Sequence, residues 1–146
     1  MNESELTIEF LQDEIERLKK LINQYQGEMN RIEDKIENLN NYRRNALLVE
    51  SLQLQCNELE HAISYAKCEI GEIEGLISTK LERLTLIQKI MELEEKVDDE
   101  HLHLGDDEVE AIYEEMADYK NDINMLDMKI AEKEKNQVFV AMKIKK

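Results

Sequence analysis

The chain has 146 residues, enough for one domain. It has no proline, four glycines, 36% charged residues, 5% aromatics and no tryptophan, which suits long helices and excludes a thick aromatic core. A formal net charge of -15 (19 basic against 34 acidic residues) excludes direct binding to nucleic-acid phosphates or anionic membranes and makes basic proteins the natural electrostatic partners. The short basic end at Lys143, Lys145 and Lys146 is the one exception.

No apolar run approaches the ~20 residues of a membrane span. The N-terminus lacks a basic-then-apolar leader pattern, so a cytoplasmic or other reducing intracellular compartment is expected. Cys56 and Cys68 agree with this. On one helix they stand ~18 Å apart and cannot pair with each other. They read as small apolar residues, with an intermolecular disulfide as the alternative.

Helix 1 is predicted over about 6–39. Ser4 or Asn2 can cap it, and Glu3 and Glu5 suit its first turn. Ile8, Leu11, Ile15, Leu18, Ile22, Tyr25, Met29, Ile32, Ile36 and Leu39 recur at 3-4-3-4 spacing without a miss. That is a heptad repeat, the period of a coiled-coil seam. Isoleucine at the first position and leucine at the fourth favour a parallel two-stranded coil. Phe10 and Leu21 widen the apolar face, which favours a bundle of three or four helices.

The run Asn38–Asn45 interrupts this repeat and reads as a turn or a stutter. Helix 2 is predicted over about 46–97. Its seam is Leu48, Leu52, Cys56, Leu59, Ile63, Ala66, Ile70, Ile73, Ile77, Leu81 and Leu84, after which the phase slips to Ile87, Ile90, Leu93 and Val97. Gly71 and Gly75, four apart, suggest close approach of a neighbouring helix or a soft point.

An acidic break follows at 98–107, where Gly105 can end a helix and Asp106 or Asp107 can cap the next. Helix 3 is predicted over about 108–136, on Val109, Ile112, Met116, Tyr119, Ile123, Leu126 and Ile130. The tail 137–146 is different. Val138, Val140, Met142 and Ile144 alternate with Phe139, Ala141 and Lys143, a strand pattern set against simple continuation of helix 3.

The expected fold is all-α, a single elongated domain over 1–146. It is either a coiled coil or an antiparallel bundle of about three long helices, with a short C-terminal strand as an option. Helix 2 is long enough to pair antiparallel with helix 1 along its first part and helix 3 along its second. The rival is a near-continuous rod in a parallel dimer.

Little here carries chemistry. His101 and His103 with the neighbouring carboxylates Asp98, Asp99, Glu100, Asp106 and Asp107 are the one metal candidate, suited to zinc or manganese. A solvated acidic loop is the plainer reading, so no metal or other cofactor is assigned. His61 reads as a surface or seam-edge residue. No glycine-rich phosphate loop is present. The many carboxylates read as solvated helix faces, and no enzyme is expected.

Thirteen acids fall between Glu92 and Asp118 with Lys96 the lone opposing Lys or Arg: Glu92, Glu94, Glu95, Asp98, Asp99, Glu100, Asp106, Asp107, Glu108, Glu110, Glu114, Glu115 and Asp118. Such a field recruits or blocks a basic surface, or simply keeps an apolar seam in solution. Two functions follow as expectations. The first is a non-enzymatic coiled-coil protein that self-associates, as a dimer, or scaffolds a complex through its seams. The second is an acidic inhibitor or nucleic-acid mimic, of phage or mobile-element type, that blocks a basic groove through Glu92–Asp118. The periodicity is generic to coiled coils, and no stretch resembles a particular family.

Overall fold

A computed structural model of the chain describes residues 7–39, 43–100 and 104–144, with backbone alone at Arg43, Glu100 and 138–144. The fold is all-α and is built on three long helices, α1 (Ile8–Leu39), α2 (Ala46–Glu100) and α3 (Asp106–Ile144). A short 3₁₀ turn at Arg43–Asn45 leads into α2. By their contacts the residues fall into two compact units. Among the described residues, one is Glu9–Glu74, and the other is Gly75–Ile144 with Thr7 and Ile8.

In the N-terminal unit α1 packs on the first part of α2. The Asn45 side-chain amide donates to the Leu39 carbonyl at 3.4 Å, and the Glu33 carboxylate lies near enough to Cys56 to act on its thiol. Neighbours at 39/45 and then 33/56 define an antiparallel hairpin. The Asn-rich run is thus a turn between helices, not a stutter within one, although residues 40–42 lie outside the described set. Leu11, Ile15 and Leu18 are buried from α1; Val49, Leu52, Ile63, Ala66 and Ile73 are buried from α2. Ile22, Met29, Ile32, Ile36, Leu39 and Ile70 are half-buried. Leu48, an expected seam residue, is half-exposed, and its neighbour Val49 takes the inward position.

In the C-terminal unit the second part of α2 packs antiparallel on α3. Lys80 meets Glu134 at 2.5 Å, Arg83 pairs with Asp127, and Lys133 donates to the Thr79 hydroxyl at 3.3 Å. Farther along, Ile90, Val97, Ile112 and Met116 form the core, with Leu93, Leu104, Tyr119 and Ile123 against it. Leu126 is buried, and Val109 and Ile130 are half-buried.

The buried line of α2 changes phase earlier than its repeat predicts. The expected line runs through Ile77, Leu81 and Leu84. Instead Leu76 is fully buried, while Leu81 and Leu84 are about half-exposed at 49% and 50% and Ile77 is only half-buried. From Leu76 the inward line runs through Thr79, Arg83, Ile87, Ile90 and Val97. A heptad repeat marks residues fit for burial, but the partner helix selects which of two competing lines is used.

The helix ends also move. α2 includes Asp98–Glu100 and α3 begins at Asp106, so the acidic break at 98–107 contracts to a short link. The Gly105 carbonyl accepts the amide of Val109 at 3.0 Å, which places Gly105 at the cap position and not Asp106 or Asp107. Asp106, Asp107 and Glu108 instead occupy the first turn, where negative charge favours the helix dipole. The alternating tail is no strand. Its backbone continues α3 to Ile144, because a helix satisfies its own amides whereas a lone strand needs an edge to pair with.

Gly71 has nothing within 4 Å of where a Cβ would stand, so no close helix approach explains it. Gly71→Ala is expected to raise stability by up to ~1 kcal/mol, read as a higher urea midpoint. Leu76→Ala should cost ~2–5 kcal/mol in the same assay, against under ~1 kcal/mol for Leu81→Ala. Similar losses at the two leucines would restore the heptad line as the core.

Candidate interaction surface

The residues expected to form an intermolecular seam are largely spent inside the chain. Leu11, Ile15, Leu18, Ile63, Ile73, Ile112, Met116 and Leu126 are buried, and Ile8, Ile77 and Ile123 are half-buried. The surface available to a partner is therefore what the helices leave outward.

That surface has an apolar part and an acidic part. In the N-terminal unit, Leu47 (81% exposed), Leu54 and Tyr65 lie along one line of α2, away from the buried residues. In the C-terminal unit, Leu81, Leu84 and Met91 share a line of α2, and Met125 and Met128 are exposed on α3. The acids Glu94, Glu95, Asp98, Asp99, Asp106, Asp107, Glu108, Glu110, Glu114, Glu115 and Asp118 are exposed, and all belong to this C-terminal unit. They surround the core of Ile90, Val97, Ile112 and Met116 at the end of the α2–α3 pair. The Glu100 side chain lies outside the described set, as do His101 and His103, the metal candidates. Among the described residues, no group of three or more His, Cys, Asp or Glu is arranged to hold a metal ion.

Sequence reasoning missed the polar layer between α2 and α3. Lys80, Arg83 and Thr79 face Glu134, Asp127 and Lys133. The Thr79 hydroxyl also donates to the Gly75 carbonyl at 2.9 Å. Beside this layer opens a cleft of about 520 Å³, lined by Thr7, Ile8, Leu84, Ile130 and the two ion pairs. The pairing neutralises both cations and both anions that line it. A Lys/Arg pair three apart opposite acids seven apart becomes a signal only once the helices are known to face each other. Nearer the acidic end, Lys89 lies over the Tyr119 ring at 5.6 Å, and the Tyr119 hydroxyl donates to Glu115 at 2.9 Å. That hydrogen bond, then burial and the charges of Glu115 and Asp122, push the Tyr119 hydroxyl pKa upward.

The Cys56 thiol is not activated for nucleophilic attack. Cys56 is half-buried, and burial followed by repulsion from Glu33 and Glu60 raises its pKa, so it stays protonated at neutral pH. Cys68 is exposed. His61 is exposed as well, in keeping with a surface residue.

No family model, curated protein or solved structure matches this chain. Among the described residues, no helix is long and apolar enough to cross a membrane.

Glu69 is the one acid among the buried residues of the N-terminal unit, 5% exposed, and burial with repulsion from Glu72 raises its pKa above the ordinary 4.5. A raised carboxyl favours the fold while protonated. That contribution is complete below the ordinary value and is lost as pH rises through the raised one. Glu69→Gln should therefore increase the thermal midpoint at pH 7, with the gain shrinking toward zero below about pH 4.5. A gain that persists unchanged in acid would show that ionisation of Glu69 is not its cause. Separately, Cys56 should react with a disulfide reagent about tenfold more slowly than Cys68 at neutral pH, comparing Cys56→Ser and Cys68→Ser variants.

Proposed function

We propose that this chain is a non-enzymatic protein–protein assembly module that works through its helical faces, joining copies of itself or a larger complex. The observation behind this reading is the set of apolar side chains left outward in rows, above all Leu47 at 81%, Leu54 at 59% and Met128 at 74% exposure. Single exposed leucines are ordinary, but rows on a rigid helix are suited to receiving another helix. Partner contacts then fall on these outward rows rather than on the Leu11–Leu18 stretch, which is buried.

A second reading has its own support. The exposed acids between Glu92 and Asp118 suit an acidic blocker that competes for a basic groove in a nucleic-acid-binding protein. The two differ in salt response. Apolar contacts tolerate salt, whereas a purely electrostatic complex between exposed charges weakens steeply as the screening length falls.

Stepwise salt elution of the tagged full chain from a lysate, with sedimentation of the pure protein alongside, separates them. The assembly reading expects self-association or helical partners that persist at about 1 M salt. Release of a nucleic-acid-binding partner at moderate salt would favour the blocker. A monomer that retains no partner under any condition would defeat both.

A further inference from the structure

We propose that the C-terminal unit docks a basic amphipathic helix of another protein along the α2 line that carries Leu81, Leu84 and Met91. The inference rests on the assembly reading and names one surface and one class of partner.

Leu81, Leu84, Gln88 and Met91 follow one another at three, four and three residues, which places them on one face of a continuous helix. The three apolar members are 49%, 50% and 52% exposed. A shallow groove of about 450 Å³ is lined by Leu81, Leu84 and Gln88, with Thr85, Lys89 and Glu92 on its walls, and Met91 lies one turn beyond it on the same line. This is the spacing at which an amphipathic helix presents its own apolar residues.

Charge decides between occupants. The cations beside the apolar line are engaged, Lys80 with Glu134, Arg83 with Asp127 and Lys89 over Tyr119, and beyond Met91 a single exposed Lys96 stands against the carboxylates. What continues the apolar line is anionic. Glu95 lies four residues beyond Met91 and Asp99 four beyond that, with Glu92 alongside, and all three are exposed. The last turn of α2 holds no basic residue, so the negative end of the helix dipole adds to these carboxylates. The face is thus apolar first and then strongly negative. It matches a helix whose apolar stripe ends in lysine or arginine. A second copy of this chain would bring another net charge of -15 to the contact, and an anionic membrane would be repelled in the same way.

The probe is a labelled synthetic helix of about 18 residues, leucine at every third or fourth position, with a lysine cluster at one end. Binding to the full chain is read by fluorescence anisotropy. Leu81→Gln with Leu84→Gln should weaken it at least about tenfold, and Met91→Gln at least about threefold. Helicity by circular dichroism confirms that each variant is folded. Glu92→Gln with Glu95→Gln and Asp99→Asn should weaken it at least about tenfold at low salt and flatten its salt dependence. The Glu108→Gln, Glu110→Gln and Glu114→Gln set, which removes the same charge from α3 and not from this line, should weaken it less than about threefold.

Equal weakening by the α3 set would mean attraction to overall charge and overturn the proposal. So would full binding by the leucine variant, or a dimer of the pure protein that the same variant dissolves, which would make a second copy the occupant. If lysate partners bind the leucine variant unchanged, this surface is wrong and the assembly reading stands. If the wild-type chain neither binds the probe nor retains a partner, both fall.

Discussion

A long helix that is half apolar cannot rest in water alone, and that constraint shapes this protein. α2 runs without interruption from Ala46 to Glu100, and apolar residues recur along its whole length. Isolated helices draw little stability from propensity; most comes from burying a face against a neighbour. Each unit meets the requirement by an antiparallel helix pair, one with α1 and one with α3. Two of the most deeply buried side chains, Leu11 and Leu76, belong one to each unit.

Polar groups within the packing confer register more than stability. The Lys80–Glu134 pair is largely shielded from water, with side chains 16% and 14% exposed. An ion pair so placed recovers little beyond its own desolvation cost, yet removing one partner strands a charge. Sliding α3 by one turn along α2 would separate Lys80 from Glu134, Arg83 from Asp127 and Lys133 from Thr79 together. The exposed pair of Arg17 and Glu14 on α1 is of the ordinary surface kind, worth a few tenths of a kcal/mol. Glu69 has the opposite character, since its burial and the charge of Glu72 oppose ionisation.

What remains outside the packing is the basis for function. The cleft beside Lys80 and Arg83 is internally neutralised, the Cys56 thiol is held protonated, and the carboxylates of the acidic end are open to water. Protein surfaces with outward apolar rows and a strong one-signed field select partners by shape and charge. The assembly reading and the basic-helix partner both follow from that remainder, the first from the apolar rows and the second from the way one of them runs into Glu92, Glu95 and Asp99.

Much of this protein was legible in its residues. The heptads placed three helices and the end of α1 at Leu39, and the Asn-rich run marked where the first ends. These are local properties, since helix periodicity, capping and turn chemistry act within a few residues. The line of α2 that would be buried was not legible, because Ile77, Leu81 and Leu84 satisfy the same period as Leu76, Ile87 and Ile90 and only the facing helix chooses between them. The polar layer was hidden for the same reason, as its members lie more than forty residues apart. The alternation in the tail 137–146 left a strand and a continuation of α3 both open, and without a pairing edge among the described residues the backbone stays helical to Ile144. Period and charge are written in the chain; which face is covered, and hence which face is left for a partner, is decided only when the helices meet.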